Sequence, residues 1–435
     1  MRHFLLACAL AVPLAAMAAA PAFALNGAEK KMVRTIDAEV ARGEALLETL
    51  VNINSGTMNL PGVEKAGMVM VDELKELGFD VKWVPQAAAQ RAGHVVATHP
   101  GKGTRMLLIG HIDTVFEPSS PFQVYRKIDA KTAEGPGVND MKGGLVVMVQ
   151  ALRAMKAAGV LKDADITIVI TGDEERVGSP EDIARADLVA AAERADVALE
   201  FESLARVDGV DHGSISRRGG TGWTLKVTAT SGHSSQIFSE KLGDGAVYEM
   251  ARILTAFRTE LPEPYLTYNV GVMVAGATAA FNADDTGGSA TGKTNIIPEV
   301  ALARGDMRTL TVEQAEGVKA KMQAIIAKNL PGTKAEITFS KSGPGMPPTD
   351  ASRALLGRLN QINKELKLAT MPELDPMLRG GGDISGVAHL IDGGLIGMGA
   401  AGEGSHAPGE TVDLASLPVQ AKRAALMMYR LSRTD

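Results

Sequence analysis

The sequence predicts an α/β domain interrupted by an inserted α+β domain. Short apolar runs alternate with helical stretches up to about residue 214, the mark of a sheet with helices on both faces. From about residue 215 to about 343 the order becomes β-α-β-β-α-β, the split βαβ layout of a small ferredoxin-like domain. The α/β texture then returns to the end. A chain of 435 residues is also longer than one simple core usually fills.

Residues 30–77 read as two helices around a turn at 54–61, the second stopped by Gly78. Residues 94–98 and 106–109 read as strands, 145–155 as a helix, and 166–170 and 196–201 as strands. The insert opens with a strand at 223–230. A helix at 246–257 follows, with Val247, Met250, Leu254 and Phe257 on one face. Strands at 265–274 and 298–307, a helix at 312–327 and a strand at 335–339 complete it. The Gly/Ser/Ala/Asp stretch at 276–293 reads as a long loop, and 344–348 as a linker. A helix at 353–366, a strand at 395–398 and a helix at 419–431 end the chain.

Arg2 and His3, the apolar run at 4–20 and the small-x-small site Ala22-Phe23-Ala24 predict a signal peptide over residues 1–24. The expected location is periplasmic or secreted. The alternative, a membrane anchor, suits the run poorly, because it is short and no second apolar span follows. What remains is 25–214 and 344–435 as the two parts of the α/β domain, with 215–343 as the insert. Cys8 is the only cysteine and leaves with the signal. Disulfides and thiolate metal sites are then excluded, and any zinc must be held by His and carboxylates. The formal charge of −6 becomes −7 when Arg2 is lost. Both signs are interspersed with no basic stripe, which argues against a nucleic-acid partner.

Five segments carry candidate chemistry. His111 follows the strand MLLIG, with Asp113 two residues on and facing the same way. An Asp there can hold the ring N–H of a metal-bound His; alone, the pair also reads as a strand-end His near an acid. Asp140 lies in the loop GPGVNDMKGG before a helix. It can bridge two cations or simply cap the helix. Glu174 and Glu175 end the strand ITIVI, where one can bind metal while the other holds water. Glu202 and Glu200 end another strand, Glu202 as a ligand and Glu200 as a surface acid. His406 stands in GSHAP after the strand LIGMG. Strand carboxyl ends are where such sheets bind ligands, so the five segments gain weight together. There is no HExxH, which excludes the single-zinc helix protease reading.

The order HxD, GPGxxDxKGG, DEE, FE and GSHxP resembles the two-zinc metallopeptidase family M20. That family includes glutamate carboxypeptidase, aminoacylase, peptidase T and succinyl-diaminopimelate desuccinylase. The resemblance covers roughly residues 35–430, and it looks nearest to the periplasmic, folate-cleaving glutamate carboxypeptidase branch. It implies a three-layer α/β zinc-peptidase domain carrying a lid and dimerisation domain. The implied activity is zinc-dependent hydrolysis of a peptide or N-acyl amide bond beside a free carboxylate, on small peptides or N-acyl amino acids. The resemblance gives His111 and Glu202 to one zinc and Glu175 and His406 to the other, with Asp140 bridging. Asp113 orients His111, and Glu174 is the general base and then the acid. His233, in TSGHSS, donates to the oxyanion and reaches the partner's site in a homodimer. Asn295 and Arg308 grip the substrate carboxylate, and Gly381 and Gly382 line the pocket. The residues alone read Arg308 equally well as an ion pair with Asp306. Cobalt or manganese could replace zinc. Met141 departs from the branch, which has a second Asp there, and the 276–293 loop is longer. An N-acyl-amino-acid deacylase would use the same machinery. A binding protein that has kept the fold without catalysis is the reading of a different class.

Overall fold

The computed structural model describes residues 24–283 and 286–433. The expected signal peptide, residues 1–24, lies outside the described residues apart from Ala24. A six-stranded sheet forms the centre, in the order Asp80–Pro85, Gly93–His99, Ala164–Thr171, Lys102–His111, Val197–Glu200 and Gly393–Ile396. The last four strands run parallel, with His111 opposite Thr171 and Glu200 opposite Ile396. Their carboxyl ends therefore open on one edge, where the candidate residues gather.

Strands buried on both faces read as unbroken apolar runs, and Met106 to Ile109 shows why. Met106 and Leu108 enter the core beneath helices Gly27–Ala38, Leu60–Leu77, Lys142–Ala158 and Ser416–Leu431. Leu107 and Ile109 enter the opposite one, with Leu188, Ile384 and Val387. Lys142–Ala158 is buried over its first fourteen residues, because four helices and the sheet surround it.

The N-terminal region differs from the two helices expected at 30–77. Three helices occupy it, because Glu39 leaves the helical conformation (φ −104°, ψ 15°) and separates Gly27–Ala38 from Val40–Val51. Asn26 and Glu29 form a capping box at the first. Gly78 ends Leu60–Leu77 in the left-handed conformation, as expected.

The inserted sheet is antiparallel, in the order Thr267–Gly276, Val300–Thr309, Gly219–Ala229 and Thr333–Phe339. Helices Gly245–Glu260 and Val312–Ile326 cover one face, which is the ferredoxin-like arrangement. Trp223 meets Phe257 edge to face at 6.1 Å in its core. Each of these rings is fully buried, worth on the order of 2–3 kcal/mol relative to exposure. The buried stripe of Gly245–Glu260 is Ala246, Met250, Ile253 and Phe257, with Glu249 among them. Val247, expected inside, is 41% exposed. Glu249 turns the stripe by holding Arg252 and the Leu330 N–H, a polar role that apolar spacing conceals.

The expected loop at 276–293 is instead a hairpin. Thr278–Phe281 pairs with Gly288–Thr291, and the Arg304 guanidinium lies 4.2 Å from the centre of the Phe281 ring. Among the described residues, no helix is long and apolar enough to cross a membrane.

Candidate active site

His111 ends its strand almost fully buried. Its Nε2 lies 2.9 Å from Glu202 Oε1 and 3.4 Å from Asp140 Oδ1. His406, in the left-handed conformation on its loop, places Nε2 3.0 Å from Glu175 Oε2 and 3.3 Å from Asp140 Oδ2. Asp140 thus turns one carboxylate oxygen to each histidine. Three triads bring metal-ligand atoms within 4.8 Å of one another: His111–Glu174–Glu175, His111–Asp140–Glu202 and Asp140–Glu175–His406. Asp140 does not cap the following helix, since Met141 stands at that position without a side-chain cap. Met141 is buried, and its sulfur accepts the His111 N–H at 3.2 Å.

Electrostatics follow from this crowding. Burial works against charge on His111, yet the Asp113, Asp140 and Glu202 carboxylates raise its pKa well above the ordinary value. Hydrogen bonds to Asp140 and Glu175 lift His406 to about 10. Burial alone would raise Asp140, but His111 and His406 hold it well below the carboxylate range. Burial pushes Glu174 far up; His111 opposes this, and Asp383, Glu202 and Glu175 add to it.

Asp113 acts by a wider route than expected. The His111 Nδ1 contact falls on the Asp113 carbonyl oxygen at 3.1 Å, with the carboxylate at 3.5 Å. That carboxylate accepts the N–H groups of Glu174 (3.0 Å) and Glu175 (3.1 Å) and the Thr57 hydroxyl (2.6 Å). Glu200 is not a surface acid. It is buried, held by Arg217 at 3.0 Å and by the Ile384 N–H at 2.9 Å.

The remaining candidates lie around this centre or away from it. The Gly381 carbonyl accepts from Arg217 at 3.2 Å. A Cβ at Gly382 would meet Arg217 and Glu200 at 3.3 Å, so the loop passes close over that pair. Arg308 pairs with Asp306 at 2.9 Å, and its guanidinium also reaches to 3.9 Å from where a Gly380 Cβ would stand. The Asn295 carbonyl accepts the Ser234 N–H at 3.0 Å, which sets it beside His233. His233 is exposed, bonded to Ser235, and belongs to none of the three triads.

Sequence reasoning missed the groups that hold this centre. Glu410 accepts three backbone N–H groups of the Asp140 loop. Asp173 binds His94 at 3.2 Å and Arg185 at 2.5 Å, and Arg185 reaches Asp383 at 3.1 Å. Arg379 donates to the Ser203 hydroxyl and carbonyl, next to Glu202.

A model of Peptidase family M20/M25/M40 matches residues 107–430. The chain belongs to that family. This M20 protein is a hydrolase acting on peptide or amide bonds, which retires the non-catalytic reading. It is 27% identical over 391 residues to carboxypeptidase G2 of Pseudomonas sp. strain RS-16, covering 88% of each chain. It is 27% identical over 342 residues to a succinyl-diaminopimelate desuccinylase of Burkholderia ambifaria, covering 75% of this chain and 83% of that one. Among solved structures it resembles a tripeptidase from Staphylococcus aureus with TM-score 0.70 and 19% identity, over 93% of this chain and 99% of that one. A dinuclear metal-binding M20 peptidase from Bacillus subtilis matches with TM-score 0.63 and 16% identity, over 92% and 100%. Both neighbours share the fold of this M20 hydrolase.

Proposed function

We propose that the chain is a two-zinc exopeptidase of the carboxypeptidase type, hydrolysing a peptide or N-acyl amide bond beside a free carboxylate. The observation that carries this is the Asp140 carboxylate, divided between His111 and His406, each of which also meets a second carboxylate. In this reading His111 and Glu202 hold one zinc, Glu175 and His406 the other, and Asp140 both. The donors fit the group. Two imidazoles and three carboxylates are ligands zinc accepts without thiolate. Clustered acids repel until a cation lies among them, and the buried Glu175 Oε1 has no hydrogen-bond partner. Cobalt or manganese suits the same donors.

Two bound cations supply a polarised carbonyl and a more acidic water. Glu174, whose carboxyl burial keeps ready to hold a proton, takes one from the attacking water and gives it to the leaving nitrogen. Asp113 fixes His111 and the backbone of both glutamates. Arg308 and Asn295 hold the substrate carboxylate, the guanidinium fork matching its two oxygens, and Gly381 and Gly382 line the pocket. Residues 25–214 and 344–435 form the catalytic domain, and 215–343 the lid through which two copies pair. His233 serves the partner's site in that homodimer.

A deacylase acting on N-acyl amino acids is the second reading, favoured by the desuccinylase relatives. One experiment addresses both. Dipeptides and N-acyl amino acids with a free carboxylate are assayed for amine release before chelation, after it, and after zinc is restored. Release that stops on chelation and returns with zinc is expected, with amidated substrates inert. Release that survives complete metal removal, or an inert panel with no metal bound, overturns the proposal; the preferred substrates separate peptidase from deacylase.

Export is part of the same proposal, supported by the apolar run and the Ala22-Phe23-Ala24 site. N-terminal sequencing of the mature protein should begin at Leu25. A chain that keeps Met1 contradicts it.

A further inference from the structure

We propose that Glu410 is the positioning residue for the Asp140 carboxylate. The proposal rests on the two-metal reading above and extends it to the groups that aim its ligands.

Glu410 is fully buried. Its Oε1 accepts the N–H groups of Asn139 at 2.8 Å and Asp140 at 2.9 Å, and its Oε2 accepts that of Gly137 at 3.2 Å. Its carbonyl also accepts the Gly135 N–H at 3.1 Å. Four contacts thus tie the Asp140 loop to a segment 270 residues further along the chain. Within the loop the Val138 N–H donates to the Gly135 carbonyl at 3.1 Å and the Lys142 N–H to the Gly137 carbonyl at 2.9 Å. Gly137 has φ +71°, and a Cβ there would lie 2.4 Å from the Thr114 side chain.

Asp113 is the counterpart on the other loop. It is fully buried, and its two oxygens take the N–H groups of Glu174 and Glu175. Lys142 is also buried, its Nζ donating to the Ile53 carbonyl at 3.1 Å. A carboxylate that accepts successive backbone N–H groups resists rotation of each peptide it holds. The direction in which Asp140 splits its oxygens between His111 and His406 is therefore set from Glu410.

The test titrates metal-free protein with zinc against a chromophoric chelator and records the absorption spectrum of the cobalt-loaded form. Glu410→Gln keeps the size but turns one acceptor into a donor facing a donor. It should weaken metal affinity about 10–100-fold, alter the cobalt spectrum, and lower kcat more than it raises KM. Glu410→Asp should fall between it and wild type, and it carries the test if Glu410→Gln does not fold. Wild type is titrated in parallel. A wild type that binds no metal removes the two-metal reading and this proposal with it. Two metals bound by wild type and by the variant with equal affinity and equal spectra overturn this proposal alone. A variant that melts earlier without metal but keeps wild-type affinity and spectrum also overturns it, since Glu410 would then be only structural.

Discussion

Glu174→Gln is expected to lower turnover about 10²–10⁴-fold, the usual worth of a positioned general base, while two metals per chain stay bound. The variant keeps the shape of the side chain and removes its capacity to take a proton. Glu174 lies within the His111 triad, and its carboxyl is pushed far above its ordinary range, chiefly by burial. Glu175 differs from it in place. Its Oε2 already meets His406 at 3.0 Å. Glu175→Gln and His406→Ala should therefore lose metal as well as rate. Metal content by elemental analysis, set beside kcat, checks this. A Glu174→Gln protein that has lost metal, beside a Glu175→Gln protein that has kept it, means the two glutamates exchange roles.

His233→Ala should lower turnover about 10²–10³-fold, the usual loss of one oxyanion donor, with metal content unchanged. Within its own chain His233 is exposed and bonded to Ser235, and it joins none of the triads. A second copy related by a two-fold axis would exchange the two histidines reciprocally. Nearby exposed residues suit such pairing: Phe238 and Tyr248 lie ring against ring at 5.3 Å, 60% and 53% exposed. Mixing His233→Ala protomers with Glu174→Gln protomers should then restore part of the activity. One site of the mixed dimer has an intact base from one chain and an intact histidine from the other. If the subunits exchange and the mixture stays inactive, His233 does not act across the interface.

The legible parts of this protein are those where burial imposes a pattern. The parallel strands read clearly because both faces are covered, which makes 106–109 and 166–170 unbroken apolar runs. Asp80–Pro85 escaped because an edge strand with only Val81 buried carries no such run. The 278–291 hairpin escaped because its Gly, Ser and Ala residues disguise alternation. The same division holds at the site. His111, Asp140, Glu175, Glu202 and His406 stand just beyond apolar strands or before an apolar helix, where an acid or a histidine is conspicuous. Glu410 and the carboxylate role of Asp113 act on backbone N–H groups, which no residue type announces. Glu200 looked like a surface acid because its partner Arg217 is brought to it only by the fold.

The interruption of the central sheet has a consequence for how this protein is made. Val197–Glu200 finds its outer neighbour, Gly393–Ile396, only after the whole inserted sheet has been synthesised. Until then the nascent chain presents an open sheet edge, a template for unwanted pairing. Closing so long a loop is slow, because its entropy is spent before the contacts that reward it exist. His406 follows that strand, so one histidine of the site arrives near the end of translation. A chain released before residue 406 lacks one of the two histidines that meet the Asp140 carboxylate.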